Sequence, residues 1–406
     1  MNLKTIAGAL ALMGSALAPV LAQAAPVTLT WQMWASNDED KAVWQHLADM
    51  VTAKYPDIKI TMQTAGWTDY WTKLPVLAAS NQLGDIVAMQ SLRMKNFYNI
   101  LEPLDERIKA DGFDIGAFEP SIIANMQHDG VTYALPYDIG PWLIYYNKDM
   151  FEAAGVPLPT NDWTQDDFLK AARALTRDGK YGFGATPLNW FPFALGQGAD
   201  YLTADDALDL TNEKFVKATQ WFVDLVAKEK IAPPVAASAA PDAVTLGAFD
   251  SGAIAMYVDG PWMILGKNVK FKYGLAPIPA GAAGAKSMTA GSGFGIAATS
   301  QHKDEAWKAI QVLTGPEALQ YLAEKGRALP ARTAQQHFWF DTAARNVTNA
   351  KEALQFEFAH AVPYRLTANW NHVENLFNQY MPLAFAGSQS AEQVLGQIQN
   401  IAEQDQ

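Results

Sequence analysis

The residues best suited to catalysis are present but poorly spaced for it. The six histidines (His46, His128, His302, His337, His360 and His372) are scattered along 406 residues. None stands in H-E-x-x-H or in another pair at helical spacing, so no metal-ligand motif is visible. A serine nucleophile elbow needs glycine two residues on either side. Ser292 has Ala290 and Phe294 there. Gly293-Phe-Gly295-Ile-Ala-Ala298 fits the loose dinucleotide fingerprint in letters only, because its glycines precede a strand pattern instead of joining a strand to a helix. No G-x-x-x-x-G-K-[ST] phosphate loop exists. There is no cysteine, which removes disulfides, thiolate metal sites, iron–sulfur clusters and cysteine nucleophiles together. The 42 Asp and Glu leave a carboxylate pair for glycoside hydrolysis open, since sequence does not give spacing in space.

The elements that must position any site come from an ordinary globular composition. Half of the chain is hydrophobic and 18% is charged, with 13 Trp, 14 Tyr and 19 Phe. That excludes disorder, collagen and coiled coil, and the length suggests two domains or two lobes with a cleft. A net charge of −12 argues against a nucleic-acid partner or an anionic membrane surface. Met1-Asn2-Leu3-Lys4, an apolar stretch over 6–21 and Ala22-Gln23-Ala24 form the pattern of a secretory signal peptide, expected to be cleaved after residue 24. No cysteine follows to carry lipid, so a free periplasmic protein is expected.

Val27, Leu29, Trp31 and Met33 alternate with polar neighbours and predict a strand. Ser36 to Asp40 caps a helix whose apolar face holds Val43, Trp44, Leu47 and Val51. A strand over 58–64, a helix opened by Thr68 and a strand over 85–89 complete βαβαβ, the start of a doubly wound α/β unit. Such sheets place ligands at the carboxyl ends of their strands, here Trp34 to Asn37, Gly66-Trp67 and Gln90-Ser91. Further on, strands are predicted at Leu143–Asn147, 181–185, 253–258 and 275–279, and from Gly291. Thr164 with Asp167 caps the helix Gln165–Leu175. The chain reads as almost wholly helical from about Ala334.

Tyr133-Ala-Leu-Pro-Tyr-Asp138, Leu143-Ile-Tyr-Tyr-Asn-Lys-Asp-Met-Phe-Glu-Ala-Ala-Gly155 and Trp163-Thr-Gln-Asp-Asp-Phe168 resemble the extracellular solute-binding proteins of bacterial ABC importers, in the maltose-binding-like sugar group. Phe249-Asp-Ser-Gly-Ala-Ile-Ala-Met256 with Gly260-Pro-Trp262 extends the likeness. So do Pro277-Ile-Pro279, Gly291-Ser-Gly-Phe-Gly295, Ala306-Trp307-Lys308 and Gly326-Arg-Ala-Leu-Pro-Ala-Arg332. The resemblance implies a type II periplasmic-binding-protein fold of two interleaved α/β lobes, 25–137 with 283–332 and 138–282 with the helical tail 333–406. It implies capture of a mono- or oligosaccharide by lobe closure, delivery to the membrane permease of an importer, a monomer, and neither catalytic residues nor a cofactor or metal. The alternatives are a secreted carbohydrate-active hydrolase, or the same fold binding a polyol, a sugar phosphate or sulfonate, or a polyamine.

A sugar offers C–H faces to aromatic rings and hydroxyls to Asp, Asn, Gln and Arg. In the sugar-binding relatives the Trp of Gly-Pro-Trp commonly stacks on the ligand, which makes Trp262 the first candidate, with Asp259 beside it. Asp138 and Trp142 stand where the chain should cross between lobes. Trp34, Trp67 and Gln90 lie at strand ends, and Trp190 lies in a turn-rich segment. Gly291 and Ser292 occupy a position where relatives often present an aromatic, so the pocket departs from the family there. Arg332, with Arg327, is a candidate for a sugar acid or phosphate through a bidentate fork, weighed against surface ion pairing. Trp31, Trp44, Trp71, Trp221 and Trp307 are expected to pack in cores.

Overall fold

The computed structural model describes residues 26–236, 241–265, 267–363, 365–367 and 369–404, and the expected leader 1–24 lies outside the described residues. The first strand, β1 (Val27–Trp34), alternates at its start and is buried on both faces over its last four residues, as a strand inside a covered parallel sheet must be. The helix α1 (Asp38–Lys54) starts where the side chain of Asn37 accepts the Asp40 N–H at 2.9 Å. Three acids then meet the positive end of the helix dipole. Its buried face carries Val43, Trp44, Leu47 and Val51. β2 (Ile58–Ala65) runs parallel to β1, with Val27 opposite Ile58 and Trp34 opposite Ala65. After α2 (Trp67–Ala79), β3 (Ile86–Gln90) takes the other side of β1. The strand Ser292–Ile296 then pairs antiparallel with β3, placing Ser292 opposite Gln90. The two-residue strand Leu135–Pro136 closes the sheet. Trp31 meets Trp44 and Phe294 edge-on at 5.9 and 5.2 Å, the geometry that aromatic quadrupoles favour.

A second sheet centres on Leu143–Asn147, flanked antiparallel by Met256–Asp259 and Tyr273–Ala276. It has its own core, in which Trp190, Phe191, Phe215, Phe222, Trp370 and Phe377 pack together. The helix Gln165–Leu175 starts with the expected reciprocal cap between Thr164 and Asp167. Two sheets, each with a core, make two lobes. Between them lies a small sheet in the order Ala361–Pro363, Ser287–Ala290, Gly140–Pro141. One of its strands continues into Leu143–Asn147 and another into Ser292–Ile296, so the ribbon joins both lobes. Leu329, Trp339 and Leu354 pack on Tyr145 and Tyr257, which ties the start of the tail to the second lobe.

One expectation is corrected. Residues 181–185 are not a strand: Tyr181 and Gly184 make only single bridges, to Ile254 and Tyr257. The tail is mostly helical, as expected, with one short strand, Ala361–Pro363, which joins the connecting sheet through Ser287, Met288 and Thr289.

Candidate ligand-binding cleft

The strand ends and crossings meet along one ledge of backbone. Ser91 donates its N–H to Gly291 O at 2.8 Å, and Gly291 returns its own N–H to Ser91 Oγ at 3.2 Å. Ser292 donates its N–H to Asp138 Oδ1, and Tyr137 donates to Ser292 O at 2.8 Å. Glycine is needed here for close approach. A Cβ on Gly291 would sit 2.3 Å from Asp138 O, and one on Gly140 would sit 2.6 Å from the Pro261 ring. A Cβ on Gly260 would strike the Trp262 indole at 2.1 Å. The indole therefore lies against bare backbone, in the short turn Pro261–Ile264 that follows the strand Met256–Asp259. Trp262 stays half-buried. Tyr145 Oη donates to Gly260 O at 2.7 Å and fixes the turn from below. Asp138 is 6% exposed. Burial pushes its carboxyl up to about 7, against the pull of the Arg327 guanidinium and the Ser292 N–H.

An aromatic wall rises from the first lobe. Trp34 contacts Trp67 and Tyr70 edge-on at 5.1 and 5.2 Å, and Trp71 at 5.5 Å. Tyr70 Oη donates to Ala88 O at 2.6 Å, which pins the wall to β3. Arg93 lies over Trp71 at 4.4 Å and over Trp67 at 5.2 Å, within cation–π range. Its Nε donates to Asn371 Oδ1 at 2.7 Å, Nη1 to Gln90 Oε1, and Nη2 to Glu374 Oε2 at 2.6 Å. Asn371 and Glu374 belong to the helix Trp370–Phe385 of the other lobe. The same seam holds Asn96 Nδ2 donating to Thr367 O at 3.2 Å and a Lys95–Asp206 ion pair at 3.3 Å. The lobes therefore touch across the cleft.

Several candidates stand elsewhere than expected. Trp190 is fully buried in the second core, its indole N–H donated to Pro187 O at 2.9 Å, so it presents no face to a ligand. Arg332 is neither in the cleft nor in a surface ion pair. It is buried, stacked on Phe118 at 4.3 Å, with Nε donated to Thr314 O at 2.7 Å. Arg327 is buried against Asp40 at 2.6 Å. Trp34 is 5% exposed and backs Trp67, which keeps the more open ring. Asp259 is half-buried and accepts the Gly260 N–H at 2.8 Å, a turn-holding role. Trp142 is half-buried against the second core. Gln90, Gly291 and Ser292 lie on the ledge. Arg93, Asn371 and Glu374 were not anticipated. Asn371 and Glu374 share a helix face at i, i+3 spacing, but periodicity does not tell which face meets the other lobe. Among the described residues no group of three or more His, Asp or Glu could hold a metal ion, and no helix is long and apolar enough to cross a membrane.

The profile of the bacterial extracellular solute-binding proteins matches residues 34–320. The chain belongs to that family. A relative in Brucella abortus (strain 2308), named only as a binding protein, is 27% identical over 281 residues, 64% of this chain and 66% of its own length. The chain thus spans just under two thirds of that relative's length. The lactose-binding protein of Rhizobium radiobacter is 26% identical over 320 residues, 73% of this chain and 74% of that protein. Among solved structures, an ABC substrate-binding protein of Listeria monocytogenes in complex with cycloalternan superposes with a TM-score of 0.84. It covers 93% of this chain and 98% of that one, at 21% identity. At that identity the likeness shows the fold, a two-lobed solute-binding architecture.

Proposed function

We propose that this solute-binding protein captures a mono- or oligosaccharide between its lobes and delivers it to the permease of an ABC importer. The observation that carries the reading is the set of rings and polar groups at the crossings: the half-buried indole of Trp67 stands under Arg93 where Gln90 and Asn371 meet it, and that of Trp262 lies on the turn against Gly140, with Asp259 beside it and Asp138 on the ledge. Rings cover sugar faces and amides and carboxylates bond hydroxyls, while nothing in the arrangement activates a nucleophile. The lactose-binding and cycloalternan-bound relatives support the ligand class. In this reading the protein is a monomer without enzymatic activity or nucleic-acid partner, released into the periplasm by cleavage after residue 24 without a lipid anchor. Its lobes are 25–137 with 283–332, and 138–282 with 333–406. The ligand stabilises the closed form because only that form lets it touch both lobes.

A thermal-shift and tryptophan-fluorescence screen over mono- and oligosaccharides tests this. At least one sugar should give a saturable fluorescence change and a midpoint that rises with concentration. Chromatography after long incubation should recover that sugar intact. Silence across the panel, or hydrolysis products, would overturn the proposal.

A further inference from the structure

The guanidinium of Arg93 is the group in the cleft best able to hold an anion, and the protein has already used it. Arg93 is 3% exposed. Nε, Nη1 and Nη2 each donate to a protein acceptor, on Asn371, Gln90 and Glu374. Its ring-facing side rests on Trp71 and Trp67. A guanidinium recognises a carboxylate or phosphate through two parallel N–H groups on one edge. With Nε given to an amide and Nη2 to a carboxylate, that edge is closed to a ligand.

We propose that Glu374 is a specificity-determining residue: its carboxylate takes the Nη2 arm of Arg93 across the seam and, with Asn371 on Nε, closes the fork, so that uncharged sugars enter and uronic acids and sugar phosphates are turned away. The proposal rests on the carbohydrate reading above and narrows it. An acidic ligand reaching Arg93 must displace Glu374, whose side chain is 16% exposed. It would leave that carboxylate desolvated beside a second negative charge, an uncompensated arrangement that is strongly unfavourable. Discrimination then comes from a built-in repulsive element rather than from a better fit. One further cation on the seam is likewise met by a carboxylate, Lys95 by Asp206.

Binding of D-glucuronate, glucose 1-phosphate and inorganic phosphate to the purified full chain tests this by calorimetry and thermal shift, against chloride at matched ionic strength. The wild type should show no saturable response. Glu374→Gln and Glu374→Ala should each gain at least a tenfold lower Kd for one of these anions, and adding Arg93→Leu to Glu374→Ala should abolish the gain. Glu374→Gln removes the repelling charge at nearly constant size, so the test stands even if the alanine variant folds poorly. A wild type that binds the anions as tightly as the variants overturns the proposal. So do variants that gain nothing, or a gain that survives loss of Arg93. A neutral panel (lactose, maltose, arabinose) run alongside keeps the two readings apart. An anion gain in the variants with no neutral sugar bound supports the charge filter and counts against the carbohydrate reading.

Discussion

An indole contributes to sugar binding only through the area it still exposes. Trp262 and Trp67 are half-buried, whereas Trp190 is 0% exposed. The two kinds of residue should therefore fail differently on truncation. A sugar newly covers part of one indole face, and apolar burial is worth about 25 cal/mol per Å², so Trp262→Ala should weaken binding by about 1–3 kcal/mol. Calorimetry with the sugar found in the screen should show a loss of about 5- to 150-fold, with cooperative unfolding preserved; unchanged affinity would remove Trp262 from the site. Trp190→Ala instead empties a packed core and should cost about 3–5 kcal/mol of stability. Urea unfolding should show that loss while the folded protein keeps its affinity. The sequence did not separate these two residues, because orientation in a turn-rich loop follows no period. Arg332 was misread for a related reason. A buried cation lying on Phe118 and a surface cation leave the same letters in the chain.

At the scale of elements, local chemistry was more legible. Asn37 and Thr164 cap their helices as their positions suggest, and Thr164 forms a full capping box with Asp167. Thr164→Ala should cost about 1 kcal/mol, measurable as a lower urea midpoint at unchanged slope; no change would mean that the box is redundant with the packing of Phe168 and Leu175. The opening βαβαβ was readable because each strand is at least five residues long and ends in turn or capping residues. The strands Leu135–Pro136, Gly140–Pro141 and Ala361–Pro363 were not readable. Two or three residues carry no period, and their strand character comes wholly from partners distant in sequence. Those short pieces build the ledge and the ribbon, so the least legible elements are the ones closest to the candidate site.

For the whole molecule, two buried carboxyls should set a pH dependence. Burial pushes Glu357 up to about 8, although it accepts the Ile278 N–H, and pushes Asp138 up to about 7. Their ordinary values are 4.5 and 3.8. The folded state holds these protons more tightly than the unfolded chain. Their contribution is therefore complete below the unfolded values and is lost as pH rises through the folded ones. Glutamine has no proton to lose. The melting midpoint of the wild type should thus fall relative to that of Glu357→Gln between pH 5 and pH 8. A constant difference across that window would show that Glu357 does not titrate there.

The strand Ser292–Ile296 sits inside the first sheet, between β3 and Leu135–Pro136. It pairs with residues made about 200 positions earlier. At a synthesis rate of roughly 5–20 residues per second, the ribosome spends about 10–40 s between the two. During that interval β3 has an open edge, and neither lobe holds its full complement of chain. Such a polypeptide commits late, after most of its length exists. That delay is a hazard if the open edge of β3 meets another nascent copy first.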